Sequence, residues 1–118
     1  MDREQVLQNF WASFGIPAYD EITVPESATM PYITYQVSVG EINFPVLSTA
    51  SLWYYGRSWK DITAKAHEIS DGLNGHTIKY DNGAILLTNG TPRYQRIADT
   101  NDMVRRIALN INYEFLER

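Results

Sequence analysis

The sequence predicts an α+β fold in which a mostly antiparallel sheet of about five to six strands carries two helices on one face. Two segments place apolar residues at helical spacing, and several others alternate apolar and polar residues with the period of two that is typical of a strand. These segments follow the order α-β-β-α-β-β-β-β and are joined by short turns. Because a chain of 118 residues can bury its own core, we expect residues 1–118 to form a single domain.

Two segments are predicted to be helices. The first covers residues 2–14 and ends at Gly15. The second begins at Ser58, where a hydroxyl followed three residues later by the carboxylate of Asp61 has the pattern of a capping box, and it ends within residues 72–75. Both apolar faces are broad enough to pack on a sheet. Their members are Val6, Leu7, Phe10, Trp11 and Phe14 in the first helix and Trp59, Ile62, Ala66, Ile69 and Leu73 in the second.

The N-terminal half is predicted to contain two strands. Residues 18–29 are polar, acidic and interrupted by proline, so we interpret them as a loop or an extended arm. Residues 31–39 alternate as a strand, with a proline at the first position, where a missing N–H is tolerated. Residues 41–48 are apolar but contain Pro45, which favours an apolar loop over a central strand. A second strand is then predicted over residues 49–57.

The C-terminal half is predicted to be a meander of four strands, over residues 76–80, 84–88, 93–98 and 103–116. Asp81-Asn82-Gly83 is a strong hairpin signal, and residues 89–92 and 99–102 are predicted to be turns. The last strand shows the clearest alternation of the chain. Its apolar side is formed by Ile107, Leu109, Ile111, Tyr113 and Phe115, and its other side by Ala108, Asn110, Asn112 and Glu114.

The composition disfavours most catalytic chemistry. The chain has no cysteine, which excludes disulfides, thiol nucleophiles and thiolate metal sites. Its two histidines, His67 and His76, lie on different predicted elements and do not have the spacing of metal ligands. The glycines lie in turns and do not form a phosphate-binding loop. We therefore expect a protein that is not an enzyme and that needs neither cofactor nor metal.

Charge and hydropathy limit the partners. The net charge is -4, from 10 basic and 14 acidic residues, and the basic residues are scattered, which argues against a domain that grips nucleic acid phosphates. The sequence contains no apolar run long enough to cross a bilayer. Its first residues carry charges of both signs and do not have the pattern of a signal peptide. These features predict a protein made in the cytoplasm that does not associate with membranes.

Two groups of residues are candidates for contacts with other proteins. The apolar side chains of the 41–48 segment would be unusual on the surface of a monomer, which favours burial against a neighbour. The four arginines near the last two strands could pair with Asp99, Asp102 and the acidic arm, or they could recognise an acidic surface on another subunit. The predicted interface residues are Ile42, Phe44, Val46, Leu47, Arg93, Arg96, Arg105 and Arg106.

An aromatic cluster leaves two further interpretations open. Trp53, Tyr54, Tyr55 and Trp59 lie close together in the sequence, and aromatic faces beside basic residues can stack on bases or sugars. A small ligand-binding or enzymatic domain would use Trp53, Tyr55 and Trp59 as a pocket wall. Because only Arg57 and Lys60 are nearby, core packing together with a protein contact is the preferred interpretation.

Three strings and the order of elements resemble a known family. Residues 30–35, Met-Pro-Tyr-Ile-Thr-Tyr, open a strand; Ser58-Trp59 starts a helix that runs to Leu73; and residues 106–114, Arg-Ile-Ala-Leu-Asn-Ile-Asn-Tyr-Glu, form the last strand. Over roughly residues 1–116 this layout resembles the tail-terminator or tail-completion proteins of long-tailed bacteriophages and prophages. Head-tail joining and connector proteins of the neck have similar size and patterning, so they remain an alternative.

The resemblance implies a structural virion protein without catalytic residues. Such a protein would be located in the tail or neck and would assemble in the host cytoplasm as a ring, commonly a hexamer, on the tail tube. It would stop tube polymerisation and present a surface to the neck or connector proteins, and DNA would pass through its lumen without specific binding. Acidic side chains could face that lumen, or the acidic arm could pair with arginines of the next copy. The predicted lumen-facing residues are Asp20, Glu21, Glu26 and Glu114.

Overall fold

The computed structural model describes residues 2–36 and 43–117. It contains two helices and one sheet of six strands, so the predicted α+β class is confirmed. In chain order the elements are α1 (Arg3–Ala12), β1 (Ala18–Asp20), β2 (Tyr32–Tyr35), β3 (Pro45–Tyr55), α2 (Lys60–Leu73), β4 (His76–Tyr80), β5 (Gly83–Ile97) and β6 (Val104–Glu117).

The sheet has the strand order β1-β2-β3-β6-β5-β4. The short pair of β1 and β2 is parallel, and the other pairs are antiparallel. The last strand lies at the centre: β3 pairs with it from Pro45 opposite Glu114 to Tyr55 opposite Val104. Its other edge pairs with β5, from Gly83 opposite Glu117 to Ile97 opposite Arg106. The segment with the strongest alternation is therefore the one that organises the sheet.

Both helices pack on the face predicted from that alternation. The odd-numbered residues of β6 from Ile107 to Phe115 are buried, and the Trp11 indole of α1 donates to the Tyr113 hydroxyl in the middle of them. Helix α2 covers the same face with buried residues that include Ile62 and Ile69. Helix α1 contacts β1 and β4, which are the two edge strands, so the sheet must curl around it. We call the opposite side of the sheet the outer face.

Two predictions for the N-terminal half were wrong in part. The loop or extended arm predicted over residues 18–29 begins with strand β1, which is only three residues long and pairs with β2 in parallel; residues 21–29 are outside any helix or strand, as predicted. Of the loop predicted over residues 41–48, residues 41 and 42 lie outside the described residues, and only Asn43 and Phe44 precede β3, which already begins at Pro45. Proline is tolerated there since the first residue of a strand does not need its N–H. The strand predicted over 31–39 is β2, and its residues 37–39 lie outside the described residues.

The turn predicted over residues 89–92 was also wrong. Strand β5 continues through this segment, and its pairing with β6 shifts register between Asn89 and Tyr94. Gly90 lies so close to β6 that an added Cβ would be 2.9 Å from the Asn110 Cβ, and the Asn110 side-chain amide donates to the Pro92 carbonyl at 2.8 Å. Glycine and proline therefore mark a bulge in one long strand rather than a turn between two.

The described residues contain no helix long and apolar enough to cross a membrane. Within the same residues, no group of three or more histidine, cysteine, aspartate or glutamate side chains could hold a metal ion.

Candidate assembly surfaces

The four arginines predicted as one interface do not form a single strip. Successive residues of a strand point to opposite faces of the sheet. Arg105 therefore lies on the helix face, together with Arg96 of β5, whereas Arg106 lies on the outer face. Arg93 is near the bulge of β5. The alternation of Arg105 and Arg106 was visible in the sequence and could have predicted this separation.

Arg96 and Arg105 both stack on one indole ring. The guanidinium carbons lie 4.6 and 5.2 Å from the centre of the Trp59 ring, within the distance of a cation–π interaction. Arg105 is held further by backbone carbonyls, because its Nε donates to Arg57 at 3.0 Å and its Nη1 to Asp102 at 2.7 Å. We call Trp59, Arg96 and Arg105 the Trp59 cluster. It fixes two cations at one end of the sheet.

These cations have no acidic partner among residues 2–36 and 43–117. The ion pairs found there involve Arg3, Lys65 and Arg93. The expected pairing with the turn before β6 is not seen, because the Asp99 carboxylate accepts from the Asn101 N–H and Asp102 contributes its backbone carbonyl. The positive charge of the Trp59 cluster is therefore available to an external acidic group.

Arg106 ends a row of aromatic rings on the outer face. Tyr19, Tyr32 and Trp53 lie on the neighbouring strands β1, β2 and β3, with ring centres 5.8 and 6.4 Å apart, and the Arg106 guanidinium stacks 4.6 Å from the centre of the Trp53 ring. The Trp53 N–H donates to the Thr34 hydroxyl at 2.9 Å. Tyrosine, tryptophan and arginine dominate the binding energy of many protein interfaces.

Arg93 binds two residues of helix α2 in the same chain. Its Nε donates to the Ser70 hydroxyl at 2.7 Å, and its Nη2 donates to Asp71 Oδ1 at 2.7 Å. This hydrogen bond from Arg93 lowers the pKa of Asp71. Ser70, which is fully buried, also donates to the side-chain oxygen of Asn89 at 3.1 Å. The network ties the bulge of β5 to helix α2, so we leave Arg93 out of the candidate contact surface.

The apolar residues of the 41–48 segment differ in exposure. Leu47 lies on the outer face opposite Asn112 and is 65% exposed. Phe44, just before β3, is 59% exposed. Val46 instead lies opposite Tyr113 and packs against the core while partly buried, so less of its side chain is open to a neighbour. Ile42 lies outside the described residues. The exposed pair Phe44 and Leu47 remains as a candidate contact.

Three of the four predicted lumen residues lie together. Asp20 ends β1, and Glu21 and Glu26 are exposed in the segment that follows it. Glu114 is distant from them in the strand order, on the outer face opposite Pro45. Between the acids lies Ile22, which is 84% exposed and was missed, because a single apolar residue in a polar loop gives no periodic signal.

The aromatic cluster does not form one pocket wall. Strand alternation places Trp53 and Tyr55 on the outer face, whereas Trp59 contacts arginines on the helix face. A depression of about 670 Å³ lies at the 81–83 turn, among residues of β4, β5 and the end of β6. Its lining includes none of these three aromatic residues, so the geometry does not favour the ligand-binding alternative at this cluster.

Comparison with known proteins gives a match at the level of fold. No protein-family model matches the chain, and no curated protein matches it. A chain in a solved structure described as the virion of a native gene transfer agent particle superposes with a TM-score of 0.68 and 18% sequence identity. The match covers 93% of this chain and 94% of that chain. At this identity the comparison shows a shared fold over nearly the whole length of both chains.

Proposed function

We propose that this protein is a structural component of a phage-like virion that closes the end of the tail tube as a homo-oligomeric ring. In this role it stops tube polymerisation and forms part of the neck that joins the tail to the head. The observation that carries the proposal is the shared fold with a chain of a gene transfer agent virion, which extends over 93% and 94% of the two chains. Because the match covers nearly all of both chains, the similarity concerns the whole domain and not one motif.

Exposed apolar side chains support an assembling protein. Phe44 and Leu47 are 59% and 65% exposed, and the register of β3 places them near the Glu114 end of β6. Exposed apolar residues of this size, grouped on one part of the surface, are typical of a site that a partner covers. We assign Phe44 and Leu47 to a contact with a neighbouring copy or with the tail tube protein.

The two candidate surfaces lie at opposite ends of the central strand. Phe44 and Leu47 are near the C-terminal end of β6, whereas the Trp59 cluster is beside its N-terminal end. Strand β6 spans Val104–Glu117, and each residue of a strand advances the chain by about 3.4 Å. The two surfaces are therefore far enough apart to contact different molecules. A protein that joins a ring and binds a tail tube needs more than one contact surface.

Mass photometry tests the proposal directly. We expect the purified protein to form a ring of defined mass, alone or after addition of a tail tube protein. Phe44→Asp should abolish that assembly while the far-UV circular dichroism of the monomer is retained, because Phe44 is largely exposed. Thr77→Asp, which adds the same charge at an exposed position of β4, is the control and should assemble normally.

Three results would contradict the proposal or part of it. A protein that stays monomeric with and without the tube protein is not a tail terminator. If Phe44→Asp unfolds the monomer, Phe44 belongs to the core, and its assignment to a contact surface is wrong. Binding to head or connector proteins without binding to tubes would instead favour the connector alternative.

A further inference from the structure

The sheet carries opposite charges at two lateral edges. The acidic segment with Asp20, Glu21 and Glu26 follows β1, which is one edge strand. At the other side of the sheet, β4 pairs only with residues 83–87 of β5. The later part of β5, which carries Arg96, pairs with β6 on one side. Among the described strands its other side has no partner, so it is an edge of the sheet. Four strand spacings separate β1 from β5, or about 19 Å along the sheet. The two charged regions therefore belong to different parts of the sheet in one copy.

The acidic segment presents its side chains in a defined conformation. The Asp20 carboxylate accepts from the Ile22 N–H at 3.1 Å, and the Thr23 N–H donates to the Asp20 carbonyl at 3.0 Å. This turn leaves Ile22 84% exposed beside the exposed Glu21. A segment that is already ordered loses less conformational entropy on binding. Ile22 and its neighbouring carboxylates are therefore suited to a contact outside the molecule.

The Trp59 cluster offers the complementary chemistry. Arg96 has its guanidinium stacked on Trp59, and no described residue accepts a hydrogen bond from it. A guanidinium in a cation–π contact keeps its N–H groups as hydrogen-bond donors, and its planar fork matches the two oxygens of a carboxylate. The indole itself is partly exposed and provides apolar surface beside the charge.

We propose that neighbouring copies of this chain join head to tail through these two edges. The Glu21 carboxylate of one copy binds Arg96 of the next, and Ile22 covers the exposed part of Trp59. Such a contact uses two different surfaces of each copy, and a contact of this type closes a ring when the rotation between copies permits it. The inference rests on the proposed function, and it assigns the acidic segment to the contact between copies instead of the lumen.

A charge-exchange experiment tests the contact. Arg96→Glu and Glu21→Arg are made singly and together, and the mass of each protein is measured by analytical ultracentrifugation over a range of concentrations. Each single variant should weaken assembly by about tenfold or more, since like charges then face each other. The double variant should recover to within about threefold of the parent, because the pair is restored with its signs exchanged.

Matched controls separate the contact from general effects of charge and folding. Lys79→Glu makes the same charge change as Arg96→Glu, at an exposed position of β4, and should assemble like the parent. Ile22→Ala should weaken assembly without changing the monomer's thermal unfolding, because the side chain is 84% exposed. All variants are compared as monomers by circular dichroism.

The outcomes distinguish this inference from the function on which it rests. If the parent assembles and both single variants assemble equally well, the proposed contact is wrong while ring formation stands. Failure of the double variant to recover, with the single variants impaired, also overturns the specific pairing of Glu21 with Arg96. A parent that never assembles, even with tube protein, overturns both proposals.

Discussion

The indole N–H of Trp11 donates to the hydroxyl of Tyr113 at 3.2 Å. Both side chains are fully buried, and the bond joins helix α1 to the central strand of the sheet. It gives a polar partner to each residue inside an apolar core, where an unpaired N–H would be costly.

Tyr113→Phe should destabilise the monomer by about 1–3 kcal/mol, because the Trp11 N–H then has no acceptor in the core. Urea unfolding followed by circular dichroism measures the change. Tyr55→Phe removes a hydroxyl from a side chain that is 65% exposed and is the control; it should leave the unfolding free energy nearly unchanged. Equal stabilities of the Tyr113 variant and the parent would show that the bond contributes nothing.

Alkaline pH should destabilise the fold through one buried and one partly buried tyrosine. Burial raises the pKa of Tyr113, and burial together with the hydrogen bond to Glu117 raises the pKa of Tyr80 from 10.0 to about 12. The folded state therefore keeps these protons at a pH where the unfolded chain releases them. By linkage, the contribution of these two tyrosines to the free energy of unfolding is constant below about pH 10 and decreases as the pH rises above it.

Tyr80→Phe tests the Tyr80 contribution. We expect this variant to lose less stability than the parent between pH 10 and pH 12, the interval between the two pKa values of Tyr80. Urea unfolding at fixed ionic strength over this interval is the measurement, and Tyr55→Phe is again the control. A parent and a Tyr80 variant with the same slope against pH would contradict the assignment.

Two glycine substitutions should have opposite effects. Gly90→Ala would place a Cβ 2.9 Å from the Asn110 Cβ and 3.2 Å from its backbone carbon, so we expect a loss of about 1–3 kcal/mol from overpacking. In Gly72→Ala the new Cβ would meet only Phe14 Cε1 at 3.5 Å. Because Gly72 is inside helix α2, alanine should stabilise the monomer by roughly 0.5–1 kcal/mol. Thermal unfolding of both variants measures the effects; a stabilised Gly90 variant would show that the bulge is not constrained by β6.

The sequence predicted best those elements whose pattern of apolar residues lies within a single segment of the chain. The alternation of β6 and the helical stripes of α1 and α2 each depend on which face of one element is apolar, and the structure places those faces in one core. Strand β1 could not be found this way, because three residues carry no period and its parallel pairing with β2 depends on tertiary structure. Gly90 and Pro92 are compatible with either a turn or a bulge, and only the proximity of Asn110 distinguishes them.

For the candidate contact residues, too, only features that depend on a single segment could be predicted. The period of two in the last strand separates Arg105 from Arg106. The face on which Leu47 lies follows only from the register of β3, because Val46 and Leu47 are both apolar. The use of Arg93 could not be predicted, since its partners Ser70 and Asp71 belong to a helix more than twenty residues away in the chain. The stacking of Arg96 on Trp59 likewise depends on how α2 begins beside the sheet.

The most direct test of the central claim is the length of tail tubes polymerised with and without this protein, imaged by electron microscopy. The proposed function predicts a ring at one end of each tube and tubes that stop lengthening once the ring is bound. Tubes that continue to grow at the same rate, with no added density at either end and the protein still monomeric in solution, would contradict it.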